Sequence, residues 1–256
     1  MDKLVVSQKN HSVMSVQTDM GIANELTDFF SFFVPGYKYM PAFRNKVWDG
    51  KIRLYNSQAQ ELPVGLFPYL QEFCGPRNYK VEVEHSNYYG LPGATVDVDP
   101  AELSDFINAL SLSTKGKRIN PHGYQIEAIC EGLHRKRSIL LSPTGSGKSL
   151  IIYVLMRYLL EKTNKKCLII VPTTSLVQQM YSDFEDYSYY DNDFIVENEC
   201  HRIYSGKEKN VGQNVIISTW QSVYKLPGKW FEQFSMVFGD ECHGFKSKSL
   251  TSIMNK

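Results

Sequence analysis

The first part of the chain mixes short alternating segments with segments that carry apolar residues at helical spacing. Alternation of apolar and polar residues predicts strands, here at Leu4–Val6, Val13–Val16 and Tyr79–Glu84. Apolar residues that recur every three or four positions predict amphipathic helices, here at Gly21–Phe33, Leu66–Cys74 and Ala101–Leu112. We therefore expect a small N-terminal α+β domain over residues 1–112.

The second part, residues 113–256, alternates apolar strands with helices in a regular order. The predicted strands are Ile139–Leu141, Cys167–Val171, Arg202–Tyr204, Val215–Ser218 and Met236–Gly239. The predicted helices are Pro121–Leu133, Leu150–Glu161 and Thr174–Tyr187. Such alternation is typical of a mainly parallel sheet with crossover helices, so the expected fold class is α/β.

The stretch Ser138–Leu150, with the sequence SILLSPTGSGKSL, has the order of a strand, a glycine-rich turn and a helix start. Its two glycines let the backbone turn N–H groups toward an anion, because glycine has no Cβ. In a phosphate-binding loop of this kind, Lys148 reaches the β- and γ-phosphates and the Ser149 hydroxyl binds Mg²⁺. The alternative is a chance turn, since Ser142 stands where the strict motif has its first glycine.

An acidic pair, Asp240 and Glu241, directly follows the last predicted strand. Ligands of open parallel sheets bind at the carboxyl ends of strands, where the glycine-rich loop also falls. We assign Asp240 to Mg²⁺ and Glu241 to the attacking water; the alternative is a surface acidic pair. His243 could be a metal ligand, but no second His or Cys stands at zinc spacing. We expect His243 to link the nucleotide site to the nucleic-acid site by a hydrogen bond.

Between Tyr37 and Tyr55, aromatic and apolar residues are interleaved with cations. The Asp49-Gly50 pair predicts a hairpin with Val47-Trp48 before the turn and Lys51–Tyr55 after it, apolar on one face and basic on the other. Such a ribbon can neutralise phosphates while its rings contact sugars or bases. The alternative is that the cations form a solvated face. The candidate DNA contacts are Arg44, Lys46, Lys51 and Arg53.

Composition narrows the class of protein without identifying a ligand. The formal net charge of +1 neither favours nor excludes nucleic acid, so any binding site must be a local basic patch. The five scattered cysteines contain no C-x-x-C, which suits a reducing cytoplasm and no structural zinc or disulfide frame. No apolar run is long enough for a membrane helix or a signal peptide. We therefore expect a cytoplasmic protein without a membrane partner.

Together the motifs resemble those of superfamily 2 helicases with a DExH box. The loop at Ser142–Ser149 is similar to motif I, and Asp240–His243 is similar to motif II. Tyr124-Gln125 resembles the Q-type motif, which implies that Gln125 binds the adenine edge. Resemblance to motifs Ia and Ib implies nucleic-acid contacts by Thr173, Thr174, Thr219, Trp220 and Gln221.

More narrowly, the whole chain resembles the N-terminal half of the UvsW-type DNA helicases of T4-like bacteriophages. The resemblance implies an N-terminal domain that grips duplex or branched DNA. It also implies an incomplete first RecA-like domain over residues 113–256, and a second RecA-like domain that is absent, so that the chain is a fragment. The implied ATP-binding residues are Gln125, Thr144, Gly145, Ser146, Gly147, Lys148 and Ser149.

The function implied by the resemblance is that of an ATP- and Mg²⁺-dependent DNA helicase, with Lys148 and Glu241 as its catalytic residues. Its expected substrates are branched recombination or replication intermediates, or R-loops with their RNA–DNA hybrid, and a monomer is expected. Two alternatives stay open. One is a duplex DNA translocase of the restriction-motor type; the other is a DNA-binding module without efficient ATPase activity.

Overall fold

The chain folds into two compact units, Met1–Thr95 and Val96–Lys256. A computed structural model describes residues 3–10, 12–84, 96–135, 137–163, 165–204, 206–242 and 253. None of the helices in these ranges is both long and apolar enough to cross a membrane.

The first unit is built on a four-stranded sheet. The described strands of the first unit, four of which form this sheet, are β1 (Lys3–Gln8), β2 (Val13–Gln17), β3 (Ser31–Phe33), β4 (Lys51–Arg53), β5 (Glu61–Pro63) and β6 (Lys80–Val83). Its described helices are α1 (Met20–Phe29), α2 (Pro41–Arg44) and α3 (Phe67–Cys74). The sheet has the order β5-β2-β1-β6, in which β1 and β6 are parallel and the other neighbours antiparallel.

One face of this sheet forms the core of the first unit. Alternate residues of β1 and β2 point to that face, as the alternation of the sequence predicts, and Leu4, Val6, Met14 and Val16 are fully buried. The same cluster contains apolar residues from α1 and α3, among them Ile22, Leu26, Phe67, Leu70 and Phe73.

The hairpin predicted around Asp49-Gly50 is wrong in its pairing. β4 pairs antiparallel with β3, and Val47 and Trp48 form no strand. Gly50 is buried with φ 83°, and the ring of Tyr37 packs so closely that an added Cβ would lie 2.3 Å from it. Residues 34–50 are therefore a long connection between two strands, here called the 34–50 loop. An Asp-Gly pair signals a turn, but it does not say which earlier segment supplies the partner strand.

The second unit contains the regular alternation expected for it. Its described helices are α4 (Pro100–Ala109), α5 (Gly123–Arg135), α6 (Lys148–Lys162), α7 (Thr174–Tyr187), α8 (Val196–Glu199), α9 (Trp220–Val223) and α10 (Gly228–Phe231). Its described strands are β7 (Ser113–Thr114), β8 (Lys117–Arg118), β9 (Lys166–Val171), β10 (Cys200–Ile203), β11 (Val215–Thr219) and β12 (Phe234–Gly239).

The main sheet of this unit has the order β10-β11-β9-β12, and all of these neighbours pair in parallel. This confirms the α/β class and the mainly parallel sheet. Successive residues of β9 face two different cores, because side chains alternate across a strand. Cys167, Ile169 and Val171 pack with α5, α6 and α7. Leu168 and Ile170 pack with Val223 of α9 and Trp230 of α10 on the other face.

Helix α4 belongs to the second unit, although the sequence pattern placed the boundary after Leu112. Leu103 and Ile107 of α4 are buried in the same cluster as Ile129 of α5. The division of the chain therefore falls after Thr95. An amphipathic helix near a boundary carries no signal of which core its apolar face will join.

The strand predicted at Ile139–Leu141 is wrong. Residues 138–147 contain no strand, and Ile139 and Leu141 are 73% and 93% exposed. Leu140 alone of the three packs partly against the core. A short apolar run does not distinguish a buried strand from a connecting segment, because both can be three residues long.

Candidate nucleotide and nucleic-acid sites

The glycine-rich turn between α5 and α6 has the backbone that its sequence predicts. Gly145 and Gly147 have φ of 81° and 77°, in the left-handed region that favours glycine. Gly147 caps α6, which begins at Lys148. Because the first N–H groups of a helix lack partners within it, this turn and helix start can bind a phosphate group.

Gln125 is buried next to this turn and forms a hydrogen bond with its backbone. Its amide nitrogen donates to the Ser146 carbonyl at 2.9 Å, and its amide oxygen accepts from the backbone N–H of His122 at 2.8 Å. The hydroxyl of Tyr124 donates to the same Ser146 carbonyl at 3.0 Å. Both ends of the Gln125 amide thus have protein partners, a structural role that the resemblance to the Q-type motif did not indicate.

Glu241 of the acidic pair contacts Lys148, the first residue of α6 after the glycine-rich turn. Lys148 Nζ lies 3.2 Å from Glu241 Oε1, although the two residues are 93 positions apart. Their side chains are 31% and 39% exposed, so the ion pair is partly open to solvent. Glu241 has φ 54°, an uncommon value for a residue with a side chain, and its N–H donates to Asp240 Oδ1 at 3.0 Å. Such backbone strain is often found at functional sites.

Ser149, the predicted magnesium ligand, faces helix α7. Its hydroxyl is hydrogen-bonded to that of Tyr187 at 2.8 Å, and it lies close enough to the carboxyl of Asp183 to affect the pKa of that group. Burial raises the pKa of Asp183, and the Ser149 hydroxyl opposes that rise. Sequence analysis missed both partners. Their spacing of four residues places them on one helix face, but it does not indicate what that face contacts.

Ser149 and Asp240 carry oxygen atoms of the type that bind Mg²⁺ together with the phosphates of a substrate. The described ranges contain no group of three or more His, Cys, Asp and Glu residues that could hold a metal. His243 lies outside the described residues.

The residues expected to contact nucleic acid differ in exposure. Thr173 caps α7, accepting from the Leu176 N–H at 3.3 Å, and like Thr174 it is exposed at the carboxyl end of β9. Thr219 is buried and bonded to the Ser222 hydroxyl at 2.9 Å. Trp220 packs against the core, whereas Gln221 is exposed.

The four candidate cations of the first unit also differ. Arg44 and Lys46 are exposed, and the structure describes no ion pair for either. Lys51 Nζ lies 5.1 Å above the ring of Phe33. Arg53 forms an ion pair with Asp49, and this hydrogen-bonded pairing lowers the pKa of Asp49 to about 2. Arg53 is therefore the least available of the four.

Comparison with known proteins assigns the two units to different sequence families. Residues 3–84 match the family model of the N-terminal domain of the DNA helicase UvsW. Residues 118–256 match the model of the Type III restriction enzyme, res subunit. The second match covers more than half of the chain.

Individual relatives agree with this division. The chain is 40% identical over 232 residues to the ATP-dependent DNA helicase uvsW of Enterobacteria phage T4, covering 91% of this chain and 45% of that protein. It is 27% identical over 148 residues to the DNA 3'-5' translocase XPB2 of Sulfurisphaera tokodaii, covering 58% of this chain and 30% of that protein. The chain thus spans half or less of the length of these relatives.

Solved structures of T4 UvsW have the same fold. A crystal structure of the UvsW helicase from bacteriophage T4 matches 98% of this chain and 87% of its own, with a TM-score of 0.79 and 36% identity. A second T4 UvsW structure matches 99% of this chain and 50% of its own, with a TM-score of 0.80. The chain therefore belongs to the restriction-enzyme res-subunit family, as a UvsW-type member with a UvsW N-terminal domain.

Proposed function

We propose that this chain is the nucleotide-binding and DNA-binding half of an ATP-dependent DNA helicase. The observation that carries the proposal is the 3.2 Å contact between Lys148 and Glu241. A cation that can bind phosphate and a carboxylate that can orient water thus lie side by side near the carboxyl end of β12 in the parallel sheet. The relation to an ATP-dependent DNA helicase of phage T4 supports DNA as the substrate. We further propose that this DNA is a branched recombination or replication intermediate, or an R-loop.

In the proposed site, the triphosphate lies on the turn Thr144–Gly147 and the start of α6, with Lys148 at its β- and γ-phosphates. Entry of the phosphates separates Lys148 from Glu241, which frees the carboxylate to accept a proton from the attacking water. Mg²⁺ would be held by Ser149 and Asp240, and it supplies charge neutralisation when bound. After its bonds to the protein, the Gln125 amide keeps one N–H donor and one lone pair of its oxygen, and these contact adenine in the proposed complex.

The proposed DNA contacts are Arg44, Lys46, Lys51 and Arg53 in the first unit, and Thr173, Thr174 and Gln221 in the second. The exposed cations support phosphate contacts, which carry most of the sequence-independent affinity. Thr219 and Trp220 are proposed to position helix α9, which carries Gln221, since their own side chains are packed. We further propose that the protein acts as a monomer in the host cytoplasm, and that His243 couples the two sites.

Substitution of the proposed water-orienting residue tests this function. In the full-length protein, Glu241→Gln keeps the shape of the side chain but removes its basicity. We expect the rate of DNA-stimulated ATP hydrolysis to fall by at least about 100-fold, the usual contribution of a general base. ATP affinity, measured with a fluorescent analogue, should stay the same or rise because an anion near the γ-phosphate is lost. Near-normal turnover would refute the assignment of Glu241.

A duplex DNA translocase is the second candidate, because the matched family is that of a restriction-enzyme subunit and one relative is named a translocase. Both functions need the same nucleotide site. Displacement of a labelled strand from a forked substrate by the full-length protein separates them. A helicase releases the strand, whereas a translocase displaces a bound protein from duplex DNA and leaves the strands paired.

A further inference from the structure

An open groove of about 660 Å³ crosses the 34–50 loop of the first unit. It is lined by Lys38, Phe43, Arg44, Lys46, Val47, Trp48 and Asp49. Two aromatic rings and three cations therefore border a single concave surface. The predicted hairpin would have placed rings and cations on opposite faces, so this juxtaposition follows from the loop.

Aromatic contacts hold the walls of the groove in place. Tyr37 stacks on Phe33 at 4.6 Å and meets the edge of Phe43 at 4.7 Å between ring centroids. The indole N–H of Trp48 donates to the Lys51 carbonyl at 2.8 Å. Tyr37 also packs against Gly50, where a side chain would not fit. The rings are thus anchored before any ligand binds, which lowers the entropic cost of binding.

The charge of the groove is positive. Its single lining carboxylate, Asp49, accepts hydrogen bonds from the Arg53 guanidinium and from the Lys51 N–H at 3.1 Å, so its charge is already paired. The ion pairs among the described residues do not involve Lys38, Arg44 or Lys46. Val47, which also lines the groove, is 80% exposed.

We propose that this groove binds an unpaired nucleotide of a DNA strand, with its base against Phe43 and Trp48 and its phosphates at Arg44 and Lys46. A duplex keeps its bases stacked and offers mainly phosphates to a surface contact, so it would use the cations but not the rings. An unpaired base has a free face for stacking. The inference rests on the proposed DNA-binding function and specifies the substrate of the first unit as unpaired strand at a junction.

The test compares binding of a short labelled oligothymidylate with that of a blunt duplex of the same length, using the full chain. Phe43→Ala and Trp48→Ala should each weaken oligothymidylate binding about 5- to 100-fold, as expected for loss of one stacked base, and leave duplex binding unchanged. Tyr69→Ala is the matched control, because Tyr69 is 52% exposed on α3 and does not line the groove. It should change neither affinity.

A spectroscopic measurement covers the case in which an alanine variant disturbs the loop. Trp48 fluorescence, taken as the difference between the unsubstituted chain and Trp48→Phe, should be quenched by oligothymidylate and not by duplex. Trp48→Phe keeps a ring and should retain most of the affinity. Absence of quenching, or equal losses for both DNA forms in the alanine variants, would overturn the proposal.

A cation variant separates this inference from the proposed function. Arg44→Gln with Lys46→Gln should weaken both DNA forms and reduce the salt slope by about 0.7 to 0.9 for each lost contact. If both affinities survive this change, the loop does not bind DNA and both ideas fail for the first unit. If the cation variant weakens binding while the ring variants do not discriminate, DNA binding stands and the unpaired-nucleotide inference fails.

Discussion

Gly147 lies where the glycine-rich turn, helix α6 and the side chain of Gln125 are in contact. An added Cβ would lie 2.4 Å from the amide nitrogen of Gln125, whereas the space around Gly145 is open. Both glycines have positive φ, so Gly145→Ala adds backbone strain and Gly147→Ala adds strain and a collision. We expect losses of about 1 kcal/mol and about 2–4 kcal/mol in the free energy of unfolding. Chemical denaturation of the full chain measures both, and equal losses would contradict the packing of Gln125 against the turn.

Gln125 should matter for stability before any nucleotide binds. Gln125→Glu keeps the oxygen that accepts from His122 but replaces the donor to the Ser146 carbonyl with a buried anion. We expect a loss of about 1–3 kcal/mol, because a buried polar group without its partner retains its desolvation penalty. Tyr124→Phe is the control: it removes the second donor to that carbonyl from a residue that is 50% exposed. It should cost less. A Gln125→Glu chain as stable as the original would leave Gln125 a role in ligand binding alone.

The sequence motifs identify the chemical groups of the candidate nucleotide site, but they do not predict which other residues pack against those groups. The sequence predicted that the glycine-rich loop and the acidic pair lie at the same edge of the sheet, since both were expected at the carboxyl ends of strands. Tyr187 and Asp183 could not be predicted to lie there, because a tyrosine and an aspartate on an amphipathic helix usually face solvent or core without a ligand nearby. Their contact with Ser149 depends on how α7 lies against α6, and that arrangement is set by many small apolar contacts.

Helix α7 connects several features of the second unit. Thr173 caps its start, Ser149 contacts its last turns, and Asp186 near its end holds the β7–β8 hairpin. The carboxylate of Asp186 accepts from the Lys115 N–H at 2.7 Å and from the Thr114 hydroxyl at 2.9 Å. A displacement of α7 on nucleotide binding would therefore reach the hairpin directly.

Substitution of Asp186 tests this connection. Asp186→Ala removes the side-chain acceptor of the hairpin turn, where Lys115 has φ 50°. We expect the free energy of unfolding to fall by about 1.5–3 kcal/mol, as for loss of a hydrogen bond to a charged group. Hydrogen exchange at the Lys115 amide should become faster through local opening. Exchange in β9 should change only as far as the free energy of global unfolding changes. Asp186→Asn keeps one acceptor and should show a smaller effect; unchanged exchange at Lys115 would contradict the contact.

Elements with a distinctive residue pattern of their own were predicted well, whereas the choice of strand partner was not. The bounds of α7 agree with the sequence pattern at both ends, and β9, β11 and β12 differ from it by a few residues. The partner of β4 was missed because β3 lies before a long loop and ends a segment with helical spacing. Ile139–Leu141 was assigned to the sheet on apolar character alone, although such a run needs paired neighbours to be a strand.

At the scale of the whole molecule, the two units carry different parts of the proposed function. The described residues of the candidate nucleotide site include one cation, Lys148, whereas an additional arginine raises the rate of phosphoryl transfer about 10³- to 10⁵-fold in P-loop GTPases. The chain spans 45% of its T4 relative. Residues elsewhere in a full-length protein are therefore the expected source of that charge.

We expect the 256-residue chain by itself to bind ATP and DNA but to hydrolyse ATP at least about 1,000-fold more slowly than the full-length protein, and not to unwind DNA. Phosphate release with saturating DNA measures the first, and a forked substrate measures the second. Glu241→Gln in both proteins supplies the background, so that trace contamination by another ATPase is recognised. The shorter chain could instead hydrolyse ATP about as fast as the full-length protein and lose that activity in Glu241→Gln. This result would show that Lys148 and the other described residues of the site suffice for hydrolysis. The additional charge would then be unnecessary, and the coupling of hydrolysis to movement would have to lie in the two units described here.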